Sequence, residues 1–172
     1  MTVYQPAEDT YFLLDYLEDQ ELEGKKVLEV GSGSGKIAVE LAGKGAEVTA
    51  VDINPEAVRA TEQLAEQENV DLEVRRSDMF DEVRERFDLV VFNPPYLPGE
   101  EDIGDEEIWR GGEEGIEVTR EFLREVDGYL REDGGFILVA SSLADLEELD
   151  ETLERERSRE LWFETLYILR GR

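Results

Sequence analysis

Short, continuously apolar runs alternate with stretches of helical spacing along this 172-residue chain, and that alternation admits few folds. Residues 26–35 read KVLEVGSGSG, an apolar strand that runs into a glycine-rich turn, and 37–43 then show helical spacing with small residues. A second strand is expected at 47–52 (EVTAVD), followed by a helix over 56–67 with Pro55 at its first position and Asn54 as cap. A weaker third strand is placed at 71–75, and a strongly apolar fourth at 87–92 (FDLVVF). Residues 118–129 read as a helix with Phe122, Leu123, Val126 and Leu130 on one face. A fifth strand is expected at 135–140 (GFILVA), an amphipathic helix at 143–153, and strand material with a possible hairpin at 161–169. Strands made of unbroken apolar runs and separated by helices indicate an α/β fold, a mostly parallel sheet covered on both faces with right-handed crossovers. No repeat, linker or low-complexity tract interrupts residues 1–172, so one domain is expected.

Composition removes whole classes of chemistry. The chain has no cysteine and no histidine, which excludes thiolate nucleophiles, Cys-ligated zinc, imidazole bases and Ser-His-Asp triads. Carboxylates, hydroxyls, amides, backbone groups or a borrowed cofactor must do the work. Acidic residues outnumber basic ones 45 to 18, for a net charge of −27, and only Lys25, Lys26, Lys36 and Lys44 are lysines. With 40% apolar residues the chain still has material for a core, so the charge reads as a surface adapted to a salty cytoplasm rather than as disorder. At about 1 M salt the screening length is about 3 Å, and repulsion among surface carboxylates largely vanishes. The same surface offers no basic cluster for a phosphate backbone, so direct nucleic-acid binding is disfavoured. No signal peptide or 18-residue apolar run is present, which gives the expectation of a cytoplasmic protein with no membrane contact.

Two motifs carry the functional reading. Gly31, Gly33 and Gly35 follow a strand and open a helix, a turn that lets a ligand approach the backbone with helix N–H groups pointing at it. The phosphate-binding versions of such a turn do not fit. A Walker A loop needs Gly at 30 and Ser or Thr at 37, where the chain has Val30 and Ile37, and a dinucleotide fingerprint needs Gly or Ala at 36, where it has Lys36. Asp52 ends the second strand 19 residues beyond Gly33, where an acid can accept both ribose hydroxyls of an adenosine, although an Asp there can also cap the next helix. Asp78 follows the third strand, so three acids stand at successive strand ends, counting Glu29 before the first glycine.

The second motif is Asn93-Pro94-Pro95-Tyr96, directly after the fourth strand. Its two prolines fix φ and remove two N–H donors, leaving carbonyls and the Asn side chain to face a cavity. An amide or exocyclic NH2 is a poor nucleophile because its lone pair is delocalised. The Asn93 side-chain oxygen and the Pro94 carbonyl can bind its two hydrogens, orient the nitrogen and stabilise charge developing on it. Tyr96 can pack against the planar group, and no strong base is required.

The glycine turn with Glu29 resembles motif I of class I S-adenosylmethionine methyltransferases, and the tetrapeptide resembles the signature of those that act on planar nitrogens. The segment from Val3 to Thr10, with Phe12, Leu13 and Leu14, and the later Trp109-Arg110-Gly111-Gly112 with Gly115, resemble the archaeal and eukaryotic branch of the HemK-related glutamine methyltransferases. That resemblance covers essentially the whole chain. It implies a Rossmann-like domain with a seven-stranded sheet and a C-terminal antiparallel hairpin. It implies S-adenosylmethionine as cofactor, with Thr10, Glu29, Gly31, Gly33, Asp52, Ile53, Asp78, Met79 and Asn93 at its site and Asn93, Pro94, Pro95 and Tyr96 at the substrate. The implied substrate is the Gly-Gly-Gln loop of a class 1 translation termination factor. The implied partner is a small zinc-binding activator that adds a strand to the edge at 71–75, forming a heterodimer. Two other readings stay open: an amino methyltransferase acting on adenine or guanine, which the tetrapeptide permits, and a non-enzymatic interaction module. The acidic stretch 99–107 is more acidic than a substrate loop of this kind would be expected to be, and Trp109 reads equally as a packing anchor or a substrate contact.

Overall fold

A computed structural model describes residues 2–95, 116–149 and 152–172. Tyr96, Trp109 and the acidic stretch 99–107 lie outside the described residues. The described chain forms a seven-stranded sheet in the order β3-β2-β1-β4-β5-β7-β6. Strands β1 (Lys26–Val30), β2 (Glu47–Asp52), β3 (Glu73–Arg76), β4 (Phe87–Phe92) and β5 (Leu130–Ser141) are parallel to one another. The last two, β6 (Glu154–Glu160) and β7 (Thr165–Gly171), form an antiparallel hairpin, and β7 pairs antiparallel with β5. The doubly covered sheet with its C-terminal hairpin is the architecture anticipated above.

Alternation along the buried strands feeds two cores. Val27 of β1, Leu89 and Val91 of β4, and Ile137 and Val139 of β5 face one side, packed with Phe12, Leu13 and Leu17 of α1 (Glu8–Leu17) and Ile37 and Leu41 of α2 (Lys36–Gly43). Leu28 and Val30, Val90 and Phe92, and Phe136 and Leu138 face the other, around Phe122 of α4 (Glu117–Glu125), Phe80 and Phe87. Helix α3 (Pro55–Glu68) starts as its residues dictate: Asn54 Oδ1 accepts the Glu56 amide at 2.9 Å, and Pro55, which lacks an N–H, fills the first turn. Its start places Asp52 at the mouth between β2 and α3.

One expected helix needs correction, and two elements were not expected. The described residues of 143–153 form no amphipathic helix but one short 3-10 turn, Leu146–Glu148. Strand β6 reads ERERSRE and has no apolar face to announce it. Its arginines instead lie over rings, Arg155 on Tyr167, Arg157 on Tyr16 and Arg159 on Phe12, so aliphatic stems and guanidinium planes take the place of apolar side chains. The region 161–169 supplies the turn and most of β7, the second strand of the expected hairpin, and β6 before the turn is the first. Helix α1 was also unannounced as an element. Smaller shifts occur at β3, which begins at Glu73 rather than at 71, and at 118–129, where α4 gives way to a 3-10 turn at Val126–Tyr129.

Candidate active site

A cavity of about 370 Å³ opens at the carboxyl ends of the parallel strands, where an open α/β sheet offers its ligand crevice. Its lining contains Thr10, Glu29, Gly31, Gly33, Asp52, Ile53, Asp78, Met79, Asn93, Pro94 and Pro95, which are the expected site residues that lie within the described chain. Tyr96 is outside them.

The glycine turn closes one end of the cavity. Gly31, Gly33 and Gly35 all have positive φ, at 70°, 52° and 81°, a region that L side chains rarely occupy. Gly35 is fixed twice over, because a Cβ there would stand 2.7 Å from the Thr61 Cα of α3. The amides of Gly31, Ser32, Gly33 and Gly35 are not presented to a ligand as expected. Gly31 and Ser32 donate to the Val51 carbonyl at 2.8 and 3.0 Å, and Gly33 donates to Asp52 Oδ2 at 2.9 Å. Gly35 donates to Ser32, and the Ala38 amide in the first turn of α2 donates to the Glu29 carboxylate. These donors are spent within the fold, so this end offers a ligand acceptors. It suits hydroxyl and ammonium groups rather than phosphate.

Two carboxylates supply those acceptors. Asp52 takes the Gly33 amide on Oδ2 and the Asn54 amide, at 2.8 Å, on Oδ1; each oxygen retains acceptor capacity. Burial pushes its pKa up, and the two amides oppose that. Glu29 is 2% exposed, and its Oε2 is buried with no hydrogen-bond partner in the structure. Burial raises its pKa well above the ordinary range, the Ala38 amide opposes this, and the charge of Asp52 adds to it. An isolated buried carboxylate is costly, so the site calls for a cation or donor at this oxygen. Beyond Asp52, exposed Ile53 and Asp78 border the cavity. Met79 does so with φ of 41°, in a turn tied by Ser77, whose Oγ donates to the Met79 carbonyl and accepts the Glu82 amide.

The other end is built on Asn93 and on two residues from the N-terminal segment. Asp9, buried in α1, accepts from Asn93 Nδ2 at 2.7 Å on one carboxylate oxygen and from the Tyr4 hydroxyl at 2.6 Å on the other. A carboxylate only accepts, so the amide face toward Asp9 must be the NH2 face. The Asn93 oxygen is thereby turned away, and Oδ1 is left buried with no partner. Pro94 and Pro95 follow along the cavity wall, with no N–H between them. Thr10, buried beside Asp9, accepts the Ala7 amide at 3.4 Å and so helps to seat the start of α1.

Sequence reasoning named Asn93 but missed Asp9, 84 residues away, and missed Val118 and Glu121 of α4 on the cavity wall. Asp9 and Tyr4 carried a signal only as members of the N-terminal segment that resembled a family.

The model of the methyltransferase small domain family matches residues 7–159. A putative protein N5-glutamine methyltransferase of Methanocaldococcus jannaschii is 41% identical over 149 residues, covering 82% of this chain and 73% of that protein. The chain belongs to the HemK-related protein-glutamine methyltransferases. Human methyltransferase HEMK2, a further member of this family, is 38% identical over 98% of this chain and 88% of its own length. Among solved structures, the Encephalitozoon cuniculi Mtq2–Trm112 complex, described as methylating the termination factor eRF1, contains a chain with TM-score 0.78 and 31% identity. It covers 99% of this chain and 98% of its own length. At the end of β4 this HemK-related chain carries Asn93-Pro94-Pro95, with the Asn oxygen bare.

Proposed function

We propose that this chain transfers the sulfonium methyl of S-adenosylmethionine to the side-chain amide nitrogen of the glutamine in the Gly-Gly-Gln loop of a class 1 translation termination factor. The observation that carries this reading is Asn93 Oδ1, a buried acceptor held bare by the Asp9 hydrogen bond on the other side of its amide. Such an atom fits a planar NH2, and the family's named members act on glutamine or on the termination factor.

The residues present fit the cofactor. Asp52 has acceptor capacity for the ribose hydroxyls, Asp78, Ile53 and Met79 border the adenine end, and Glu29 Oε2 matches the amino-acid ammonium, with Gly31, Gly33 and Thr10 completing the wall. When bound, S-adenosylmethionine supplies an electrophilic methyl carbon on a positively charged sulfur. Asn93 Oδ1 and the Pro94 carbonyl hold the two amide hydrogens of the glutamine, which fixes the nitrogen's direction and favours the charge that develops on it. Asp9 and Tyr4 keep Asn93 from rotating. The role proposed for Tyr96 is to stack on the planar amide. No side chain of imidazole type is needed, since the nitrogen acquires acidity as it is alkylated.

The activator partner belongs to the same reading. Strand β3 is one edge of the sheet, only four residues long, and its outer side has no strand neighbour among the described residues. An open edge of this kind admits strand addition by a small zinc-binding protein. Arg75 on this edge is already held by Glu85 through two bonds at 2.6 and 3.0 Å, so the added strand meets a preset side chain. The acid-rich surface is read as an adaptation to concentrated salt.

Labelled S-adenosylmethionine and the cognate termination factor provide the test, with and without replacement of the Gln in its Gly-Gly-Gln loop. Label is expected on the intact factor alone, and label that persists without that Gln defeats the reading. Purification with and without the activator is expected to change both solubility and cofactor affinity.

A further inference from the structure

The turn between β6 and β7 carries the most exposed apolar side chains described in the chain. It is closed by the Leu161 amide on the Glu164 carbonyl at 2.8 Å, with Trp162 and Phe163 at its two central positions. Trp162 is 99% exposed and Phe163 65%. Central turn positions ordinarily go to Gly, Asn, Asp or Ser for conformational reasons, so two aromatics there are not explained by the turn. Nor do they cover this fold's core: the turn's apolar packing is supplied by Leu161, which sits against the α1 side of the sheet.

Two independent sets of contacts place this tip at the end of the sheet where the cavity opens. Phe92 of β4 pairs with Leu138 of β5, and the next residues of β5 lead to Ser141, which pairs with Leu166 at the start of β7. The tip thus stands at the same end of the sheet as Asn93, and at about 4.8 Å per strand it lies roughly 10–15 Å to one side. The second set runs through α1. Arg157 bonds Asp19 and the Asp15 carbonyl, whereas Arg159, two residues nearer the tip, pairs with Asp15 and approaches Glu8. Strand β6 therefore climbs α1 toward its N-terminal turn, where Asp9 holds Asn93. Leu143, 38% exposed, adds to the patch, because Ser142 exchanges two hydrogen bonds with Thr165.

We propose that Trp162 and Phe163 form a docking knob for the folded termination factor, gripping the surface beside its Gly-Gly-Gln loop while the loop's glutamine enters the cavity. The proposal rests on the function proposed above and names how that site recognises its substrate. A loop that delivers one side chain into a cavity brings its flanks onto the surface around the opening, and the knob projects from that end of the sheet. Aromatic anchors of this kind concentrate binding energy when a partner desolvates them. The knob's setting also selects its occupant. Glu160 flanks it on a chain of net charge −27, so the matching surface presents apolar stems with guanidinium or ammonium ends, which a Trp face accepts.

The test is steady-state methyl transfer to the folded factor by the wild type, the Trp162→Ala/Phe163→Ala double variant and the conservative Trp162→Phe. The double variant is expected to raise KM for the factor by about tenfold or more. Its kcat at saturating factor, cofactor affinity and unfolding midpoint should match the wild type, and Trp162→Phe should recover most of the loss. An unchanged KM overturns the proposal. So does a rise in KM matched by weaker cofactor binding or a lower midpoint, because the knob would then be supporting the fold. A wild type that fails to methylate the factor defeats the proposed function, and this inference with it, whereas an active wild type indifferent to the knob defeats the inference alone.

Discussion

At the glycine-turn end of the cavity, Glu29 and Asp52 collect backbone amides and still present oxygen to a ligand; at the Asn93 end, a neutral amide oxygen is held in place by Asp9 and Tyr4. The first arrangement suits a cation that also bears hydroxyls. The second suits an uncharged NH2. An acidic chain has carboxylates to spare, yet the group at the proposed substrate position is an amide, with the carboxylate placed one step behind it. A carboxylate in direct contact would hold the NH2 too, but its charge would remain buried whenever the site emptied. Under the proposed function, charge in this cavity stands against the cofactor's own positive groups and behind the substrate-binding atom.

The largest separation of the two halves is expected from Asn93→Ala, which should lower kcat by about 10²–10³ while cofactor affinity stays within about twofold. Isothermal titration alongside the methyl-transfer assay reads both. Equal losses in the two would mean that the halves are not distinct. Asp9→Ala should act in the same direction and less strongly, by about 10–100-fold in kcat, since the freed amide can rotate its NH2 toward the substrate. Cofactor affinity that falls as far as kcat would show Asp9 to be serving the other half. Asp52→Ala reverses the pattern, weakening cofactor binding by about 1–3 kcal/mol with kcat at saturation little changed.

The smallest effect is a pH dependence. The folded pKa of Glu29 is raised by burial. Its contribution to stability is therefore fully present below the ordinary glutamate value, about 4.3, and is lost as pH rises through the folded value. At neutral pH, Glu29→Gln should unfold at a higher temperature than the wild type without cofactor, by about 2–4 °C for each kcal/mol relieved. The same variant should bind cofactor more weakly and lose the wild type's gain in affinity with rising pH. A Gln variant that melts lower would assign Glu29 a structural role.

Much of this was legible from local pattern. The runs VLEV, EVTAVD and FDLVVF are apolar at the positions a doubly covered sheet buries, Glu29 and Thr49 excepted, so β1, β2 and β4 stand where they were expected. Asn54-Pro55 starts a helix by its own hydrogen-bonding chemistry, and Asp52 at a strand end beside a glycine turn is positioned by spacing alone. The errors share a cause: β6 has no apolar residue, and its burial partners are rings contributed by α1 and β7. In 143–153, the amphipathic spacing is weaker than the demands of a short connection into that hairpin, which leaves one 3-10 turn among its described residues.

The amino-acid order by itself determined the sheet, the cavity's place at its carboxyl ends, and the identity of the groups at three strand ends, because burial of apolar runs and glycine's access to positive φ are local requirements. Only the tertiary structure decided which way Asn93 faces, that the amides of Gly31, Ser32, Gly33 and Gly35 are already taken, and that Trp162 stands at the Asn93 end of the sheet. Each of those depends on a contact between residues far apart in the chain, where hydrogen-bond direction and strand register, rather than spacing, do the choosing.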